Sequence, residues 1–205
     1  DRLLTACAEA DRAFLWGYAA DDTHSLTNIG LSWLAMRLPR LDELAIKAAL
    51  RAGAFYTSNG PAITDIAVEG TTIRLRTPNS VEVRWLKSGQ FGAGPAEPGP
   101  GTGENHCLKV ERGVTESHYT LDAADGTTDP RAGRFVRALV LAGEGKLAHT
   151  MPFRVLPGGA LANPYPATGE WVRGMTHNHA DVPPSADPAV FAPYFRAYRE
   201  KGLPA

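Results

Sequence analysis

The chain has little cysteine, no long apolar run and almost no net charge, and each of these narrows the classes of protein to which it can belong. Its 205 residues include two cysteines, Cys7 and Cys107, with no CxxC motif, so the pattern disfavours cysteine as a metal ligand and gives no support for a disulfide. No apolar run reaches the ~18 residues of a membrane span. The formal net charge of −1 gives no reason to expect a nucleic-acid or membrane-surface partner.

The remaining composition is that of a globular protein, with 43% hydrophobic and 21% charged residues. A length of 205 residues predicts one or two domains with a real core. The sequence does not begin with Met, and it ends at Ala205 just past an expected helix end. Both ends therefore resemble cuts through a longer protein, and any signal peptide would lie upstream. No targeting segment is visible, so the sequence predicts no compartment.

Helical periodicity is confined to the two ends of the chain. Residues 1–15 carry apolar side chains at i, i+3 and i+4, which predicts a helix, and residues 17–20 form a short apolar run that predicts a buried strand. The clearest helix runs from Pro39 to Gly53, with acidic residues in its first turn and glycine at its end. A last helix is predicted to begin at Asp187-Pro188, with Asp as the N-cap.

Between residues 62 and 156 the period changes to two, which predicts an antiparallel β-sandwich. Glu69-Gly70 indicates a hairpin, and the Gly- and Pro-rich residues 89–105 indicate a loop. The expected strands are 63–68, 73–76, 81–85, 106–111, 117–121, 134–142 and 147–155. The chain is thus divided into an end region at 1–61, the sandwich at 62–156, a Pro/Gly linker at 157–169, and a second end region at 170–205 with a further strand at 170–176.

Two short motifs, one near each end, carry the side chains that could perform chemistry. They are Asp21-Asp22-Thr23-His24 and His177-Asn178-His179-Ala180-Asp181, and each combines imidazole with carboxylate as a hydrolytic metal site requires. On a strand, His177 and His179 would point to the same side and could hold one metal ion together. The alternative is that they are exposed loop histidines.

The motif at 21–24 has the same spacing and the same ambiguity. Asp22 and His24 could be ligands at i and i+2, with Asp21 orienting His24. The alternative is a cluster that caps a helix N-terminus. The other side chains have plainer interpretations: His106, His118 and His149 are expected to be structural, Trp85 and Phe135 to belong to the sandwich core, and residues 89–103 not to form a phosphate loop.

Taken together, these residues resemble the PHP superfamily of metal-dependent hydrolases, in its carbaryl-hydrolase-like branch. His177 and His179 match the His-x-His of that family's first barrel strand, and Asp22 and His24 match the Asp-x-His of its last. The stretch 48–61, which reads AALRAGAFYTSNGP, looks like the segment that follows the last motif. Phe135-Val136-Arg137 and residues 148–153 resemble the end of a β domain that often follows the barrel. Pro184 stands where the family usually has an acidic residue.

The resemblance implies an α+β chain in which an antiparallel β-sandwich is flanked by helical segments from incomplete PHP (β/α) barrels. Residues 1–61 would be the end of one barrel and 170–205 the beginning of another, completed by missing sequence or by another chain. The implied metal ligands are Asp22, His24, His177 and His179, and the implied cofactors are divalent ions (Zn, Mn or Fe). The implied reaction is hydrolysis of a small phosphoester, or of an amide or carbamate ester, by a metal-activated water. The competing hypothesis is a non-catalytic β-sandwich interaction module with incomplete metal motifs.

Overall fold

The described part of the chain is built mainly from antiparallel strands. The computed structural model describes residues 4, 6, 7, 10, 12–22, 24–87, 107–123, 135–175, 189 and 192–202. The helices are α1 (Glu43–Ala52) and α2 (Ala192–Glu200). The strands are β1 (Trp33–Leu38), β2 (Phe55–Ser58), β3 (Asp65–Glu69), β4 (Thr72–Arg76), β5 (Glu82–Lys87), β6 (Cys107–Arg112), β7 (Glu116–Thr120), β8 (Phe135–Leu141), β9 (Leu147–Thr150), β10 (Phe153–Arg154) and β11 (Glu170–Gly174).

These strands form two antiparallel sheets. The large sheet has the order β11-β1-β2-β9-β8-β5-β6, with β10 also paired to β8, and the small sheet has the order β3-β4-β7. The large sheet therefore joins strands from both ends of the chain to strands from its centre. Its edge strand β11 pairs with β1, so that Leu34 lies opposite Gly174 and Leu38 opposite Glu170.

The inner face of the large sheet meets the small sheet in one apolar core. Along β8, Val136, Ala138 and Val140 are fully buried, as alternation requires of a strand with one face on the core. Trp85 of β5 is also fully buried, and its indole Nε1 donates a 2.8 Å hydrogen bond to Ser117 Oγ in β7 of the small sheet. This bond satisfies a polar atom that would otherwise be buried without a partner.

The outer face of the large sheet is covered partly by the N-terminal segment, defined here as residues 12–22 and 24–32. Phe14 is 8% exposed, and its ring packs edge-on against Phe135 of β8 with centroids 5.6 Å apart. Trp16 Nε1 donates to the carbonyl oxygen of Arg51 at 3.1 Å. These contacts fasten the segment both to the sheet and to α1.

Local sequence explains where α1 begins and ends. The Asp42 side chain accepts a 2.8 Å bond from Ala45 N, which satisfies one of the unpaired amides of the first turn. Gly53 follows the last turn at φ 74°, and its N–H bonds to the carbonyl oxygen of Ala49. That left-handed conformation is readily adopted by glycine, so the helix stops there.

The coarse class predicted from the sequence, α+β with antiparallel sheets, is confirmed, and the finer assignment of the flanks to PHP barrels is not. A (β/α) barrel requires parallel strands, whereas every strand pair among the described residues is antiparallel. The division into 1–61, 62–156, 157–169 and 170–205 stays a prediction, although strands from three of these ranges share the large sheet.

Several local predictions were wrong or incomplete. Of the helix predicted over 1–15, residues 4, 6 and 7 are helical and residues 12–15 are not. Residues 17–20 form no strand. The strand at 33–38 was not predicted, and Phe135 is buried against Phe14 on the outer face rather than between the sheets. The two cysteines are free. The loop predicted at 89–105 and the helix start at Asp187-Pro188 lie outside the described residues.

Candidate functional site

Asp21 anchors the loop that leads into β1. Its two carboxylate oxygens accept hydrogen bonds from the backbone amides of Gly30 and Ser32. The Ser32 hydroxyl in turn donates to the carbonyl oxygen of Ala20 at 2.8 Å. These bonds join Asp21 to the backbone just before β1, and the expectation that Asp21 orients His24 stays a prediction. Its role in this geometry is to position the backbone.

Asp22 has no regular structure and His24 lies in a bend, so neither residue is on a strand. Asp22 has φ 50°, a left-handed conformation that non-glycine residues seldom adopt and that Asp tolerates better than most. Nδ1 of His24 lies 2.6 Å from the carbonyl oxygen of Asp22. Because a carbonyl oxygen can only accept, Nδ1 carries the proton, and in the neutral ring Nε2 then carries the lone pair that a metal ligand requires.

The alternative interpretation of this motif, a helix N-terminal cap, has little support from the same geometry. The nearest helix is a single 3-10 turn at Leu26–Asn28, its N-cap is Ser25, and Ser25 makes no side-chain capping bond. The hydroxyls of Ser25 and Thr27 bond to each other at 2.8 Å. The carboxylate of Asp21 serves the loop after the turn and not the turn itself.

The C-terminal part of the chain returns to the N-terminal segment. Strand β11, which ends three residues before His177 in the sequence, pairs with β1 directly after the loop that Asp21 anchors. Helix α2 packs on the 3-10 turn, and the Lys201 side chain packs against Gly30, where an added Cβ would lie 3.1 Å from Lys201 Cγ. Of the two described stretches that flank the second motif, α2 packs on the segment that carries the first, and β11 pairs with the strand that follows that segment.

The second motif itself, with His177, His179 and Asp181, lies outside the described residues, as do His106 and Pro184. Within the part of the chain that the structure describes, no group of three or more His, Cys, Asp or Glu side chains could hold a metal ion. The four-ligand site of Asp22, His24, His177 and His179 therefore stays a prediction.

A second polar cluster, on the outer face of the large sheet, was not predicted. His149 of β9 was expected to be structural, and its Nε2 is hydrogen-bonded to Thr57 Oγ1 of β2 at 2.8 Å. Burial and the neighbouring charge of Arg137 lower the pKa of His149 to about 4, and burial lowers the pKa of Arg137 to about 10. One sequence signal could have found this cluster. Arg137 and His149 each interrupt a predicted strand whose other residues are mostly apolar.

His118, also expected to be structural, is an exposed residue of β7 opposite Arg74 in the small sheet. Its carbonyl oxygen accepts a 3.0 Å bond from Lys109 Nζ. It is remote in sequence from both motifs, which makes it a suitable control position for substitutions in them.

Comparison of the chain with protein-family models, with curated proteins and with solved structures finds no match. None of the helices in the described residues is long and apolar enough to cross a membrane.

Proposed function

We propose that this chain is the metal-binding part of a metal-dependent hydrolase, with Asp22, His24, His177 and His179 as ligands of a divalent ion such as Zn, Mn or Fe. The observation that carries the proposal is the pairing of β11 with β1. In that pairing Gly174, the last residue of β11 and three residues before His177 in the sequence, lies opposite Leu34, two residues after Ser32. Chain connectivity then favours one shared site for two motifs that are about 150 residues apart.

The donor chemistry of the described residues fits such an ion. His24 donates Nδ1–H to a backbone carbonyl, the arrangement that fixes the tautomer of metal-binding histidines. Asp22 supplies a carboxylate and is held at φ 50°, and unusual backbone conformations of this kind cluster at functional sites. Asp21 keeps the backbone of both residues in place through its bonds to Gly30 and Ser32.

A bound divalent ion would supply Lewis acidity and lower the pKa of a coordinated water toward neutrality. The chain's own contribution would be to bind and orient that ion near β11, the last strand of the large sheet among the described residues. By the resemblance, the substrate is a small phosphoester, or an amide or carbamate ester. The parts of a barrel that the chain lacks would come from adjoining sequence or from another chain.

A non-catalytic β module is the second candidate function, and one observation favours it. The described strands form a continuous antiparallel structure with its own core, which has no need of a metal for its packing. In that case the motifs would be remnants, and the chain would take up no metal.

Metal content separates the two candidates. We expect the purified chain, incubated with Zn²⁺ or Mn²⁺ and desalted, to retain metal in stoichiometric amount by elemental analysis. Asp22→Ala, His24→Ala and the pair His177→Ala with His179→Ala should each lose most of it. His118→Ala is the matched control and should retain it. Turnover of a generic phosphodiester and of an aryl carbamate would then be measured with the metal-loaded chain. Absence of retained metal in the parent chain, or full retention in the double histidine variant, would leave the non-catalytic module as the better account.

A further inference from the structure

A cavity of about 370 Å³ opens on the outer face of the large sheet, under the beginning of the chain. Its floor comes from β8 and β9 and its cover from the N-terminal residues, including Leu4 and Leu15. Gly17 lies across the floor, since an added Cβ there would sit 3.7 Å from His149 Cε1. The volume lies in the range of small-molecule sites. Asp22 and His24, the two predicted metal ligands within the described residues, do not line it.

Most of this wall is apolar, and one strong charge is set into it. Leu139, Leu147 and Met151 contribute apolar surface, while Arg137 contributes a guanidinium. Burial lowers the pKa of Arg137, but only to about 10, so the group is cationic at neutral pH. A cation within an apolar wall makes the cavity favourable for an anion and unfavourable for a second cation.

The other polar group on the floor is neutral at the same pH. The pKa of His149 is lowered to about 4, and its Nε2 is already bonded to Thr57 Oγ1. The imidazole therefore adds no second positive charge to the wall.

We propose that this cavity binds a small organic carboxylate with an apolar body, its carboxylate paired with the Arg137 guanidinium and its body against Leu139, Leu147 and Met151. The fork of a guanidinium matches the planar carboxylate and can bind it through two parallel N–H···O bonds. Arg137 has further interactions within the chain, and its five N–H donors allow a ligand to be bound in addition to them.

The test uses benzoate and hexanoate as probes and the full 205-residue chain at neutral pH. Titration calorimetry should show saturable binding of both carboxylates. Arg137→Met, which retains an unbranched apolar side chain, should weaken benzoate at least about ten-fold, as expected for loss of a charge-assisted bidentate contact. Benzamide, the neutral analogue of benzoate, should bind weakly and equally to both proteins. Arg76→Met, at a 64% exposed arginine of the small sheet, is the matched control and should bind benzoate like the parent chain.

A second measurement does not depend on whether the variant folds. In amide NMR spectra of the parent chain, benzoate should shift the signals of Gly17, Leu139 and His149 and leave those of the small sheet in place. Equal affinity for benzoate and benzamide, shifts confined to other residues, or no saturation at millimolar probe would each overturn the proposal. Because none of these readouts involves a metal or turnover, failure here is distinguishable from failure of the proposed hydrolase function.

Discussion

The two-sheet core and the N-terminal segment are held in place by different physical means. In the core, apolar side chains such as Trp85, Ile73 and Phe153 are almost fully buried, and the strands supply their own backbone partners. The N-terminal segment has no regular structure beyond one 3-10 turn. It is fastened by a few specific contacts, chiefly Phe14 on Phe135 and Trp16 on the Arg51 carbonyl oxygen. Within the segment, the Asp21 carboxylate accepts hydrogen bonds from two amides.

This difference explains where chemistry is expected. Burial of apolar area is non-directional and tolerates no charge without a partner, so the core offers no reactive group. A segment held by a few polar contacts can keep Asp22 at an unfavourable φ and leave His24 at the surface. The four predictions below test this comparison, from the largest expected effect to the smallest.

Trp85→Ala should have the largest effect, because it removes a fully buried side chain and leaves Ser117 Oγ without its indole donor. We expect the free energy of unfolding to fall by about 3–5 kcal/mol, measured by urea denaturation followed by far-UV circular dichroism. Val81→Ala, at a position that is 52% exposed, is the control and should change it by less than about 0.5 kcal/mol. Similar losses in the two variants would contradict the assignment of the core.

The core is also the region that the sequence predicted well. Alternation placed β3 to β9 to within a few residues, and the Glu69-Gly70 signal marked a hairpin in which Glu69 lies opposite Thr72. Gly70 has φ 58°, which is the reason that glycine is suited to that turn. Period-two patterning works here because each strand has one face on the core and one face toward water.

The N-terminal segment and β1 were predicted poorly, for physical reasons that can be identified. Trp33–Leu38 reads Trp-Leu-Ala-Met-Arg-Leu, which lacks alternation because Leu34, Ala35 and Met36 are all buried. Residues 12–15 belong to the stretch with helix-like spacing, but Phe14 and Trp16 are anchored separately to β8 and α1. Those anchors are long-range contacts, which local periodicity does not report.

For the candidate site, the sequence supplied the residue types and the structure supplied the neighbours. Asp22 and His24 could be singled out from their spacing. The pairing of β11 with β1 could not be predicted from the sequence, because strand pairing across about 135 residues leaves no local signal. The Arg137 and His149 pair was overlooked since its members lie on different strands and meet only through sheet order.

The stability of the chain should depend on pH through His149, which lines the cavity between the N-terminal residues and the large sheet. Its pKa is about 4 in the folded chain, against the usual 6.5. Below pH 6.5 the unfolded chain takes up a proton that the folded chain does not, so stability is fully present above that pH and is lost as the pH falls toward 4. Between about pH 7 and pH 5 this amounts to about 2 kcal/mol. Urea denaturation at the two pH values measures it.

His149→Gln should remove most of this pH dependence while leaving an uncharged polar side chain near Thr57. His118→Gln, at an exposed histidine of the small sheet, should keep it. An unchanged loss of stability in His149→Gln would mean that other groups account for the acid sensitivity between pH 7 and pH 5.

Asp21→Ala should loosen the N-terminal segment without affecting the core. It deprives the Gly30 and Ser32 amides of their acceptor, at an expected cost of about 1.5 kcal/mol. Hydrogen exchange should show faster exchange at those two amides and unchanged exchange in β5 and β8. Asp21→Asn keeps one carbonyl acceptor and should lie between Ala and the parent chain. Equal acceleration throughout the core would show that the segment and the sheets are one cooperative unit.

Asp22→Gly should have the smallest effect on stability, and in the opposite direction. Asp22 has φ 50°, a conformation that glycine adopts at little cost. The substitution relieves backbone strain but increases the entropy of the unfolded chain, and these two effects oppose each other. We therefore expect the free energy of unfolding to stay unchanged or to rise by about 0.5 kcal/mol. The same change should abolish metal retention if Asp22 is a ligand.

Asp65→Gly is an informative contrast, since this exposed carboxylate begins β3 and glycine there should lower stability without changing metal content. A stabilised Asp22→Gly chain that still retains metal would remove Asp22 from the ligand set, whereas a clear loss of stability would show that the Asp22 side chain holds the segment together in its own right.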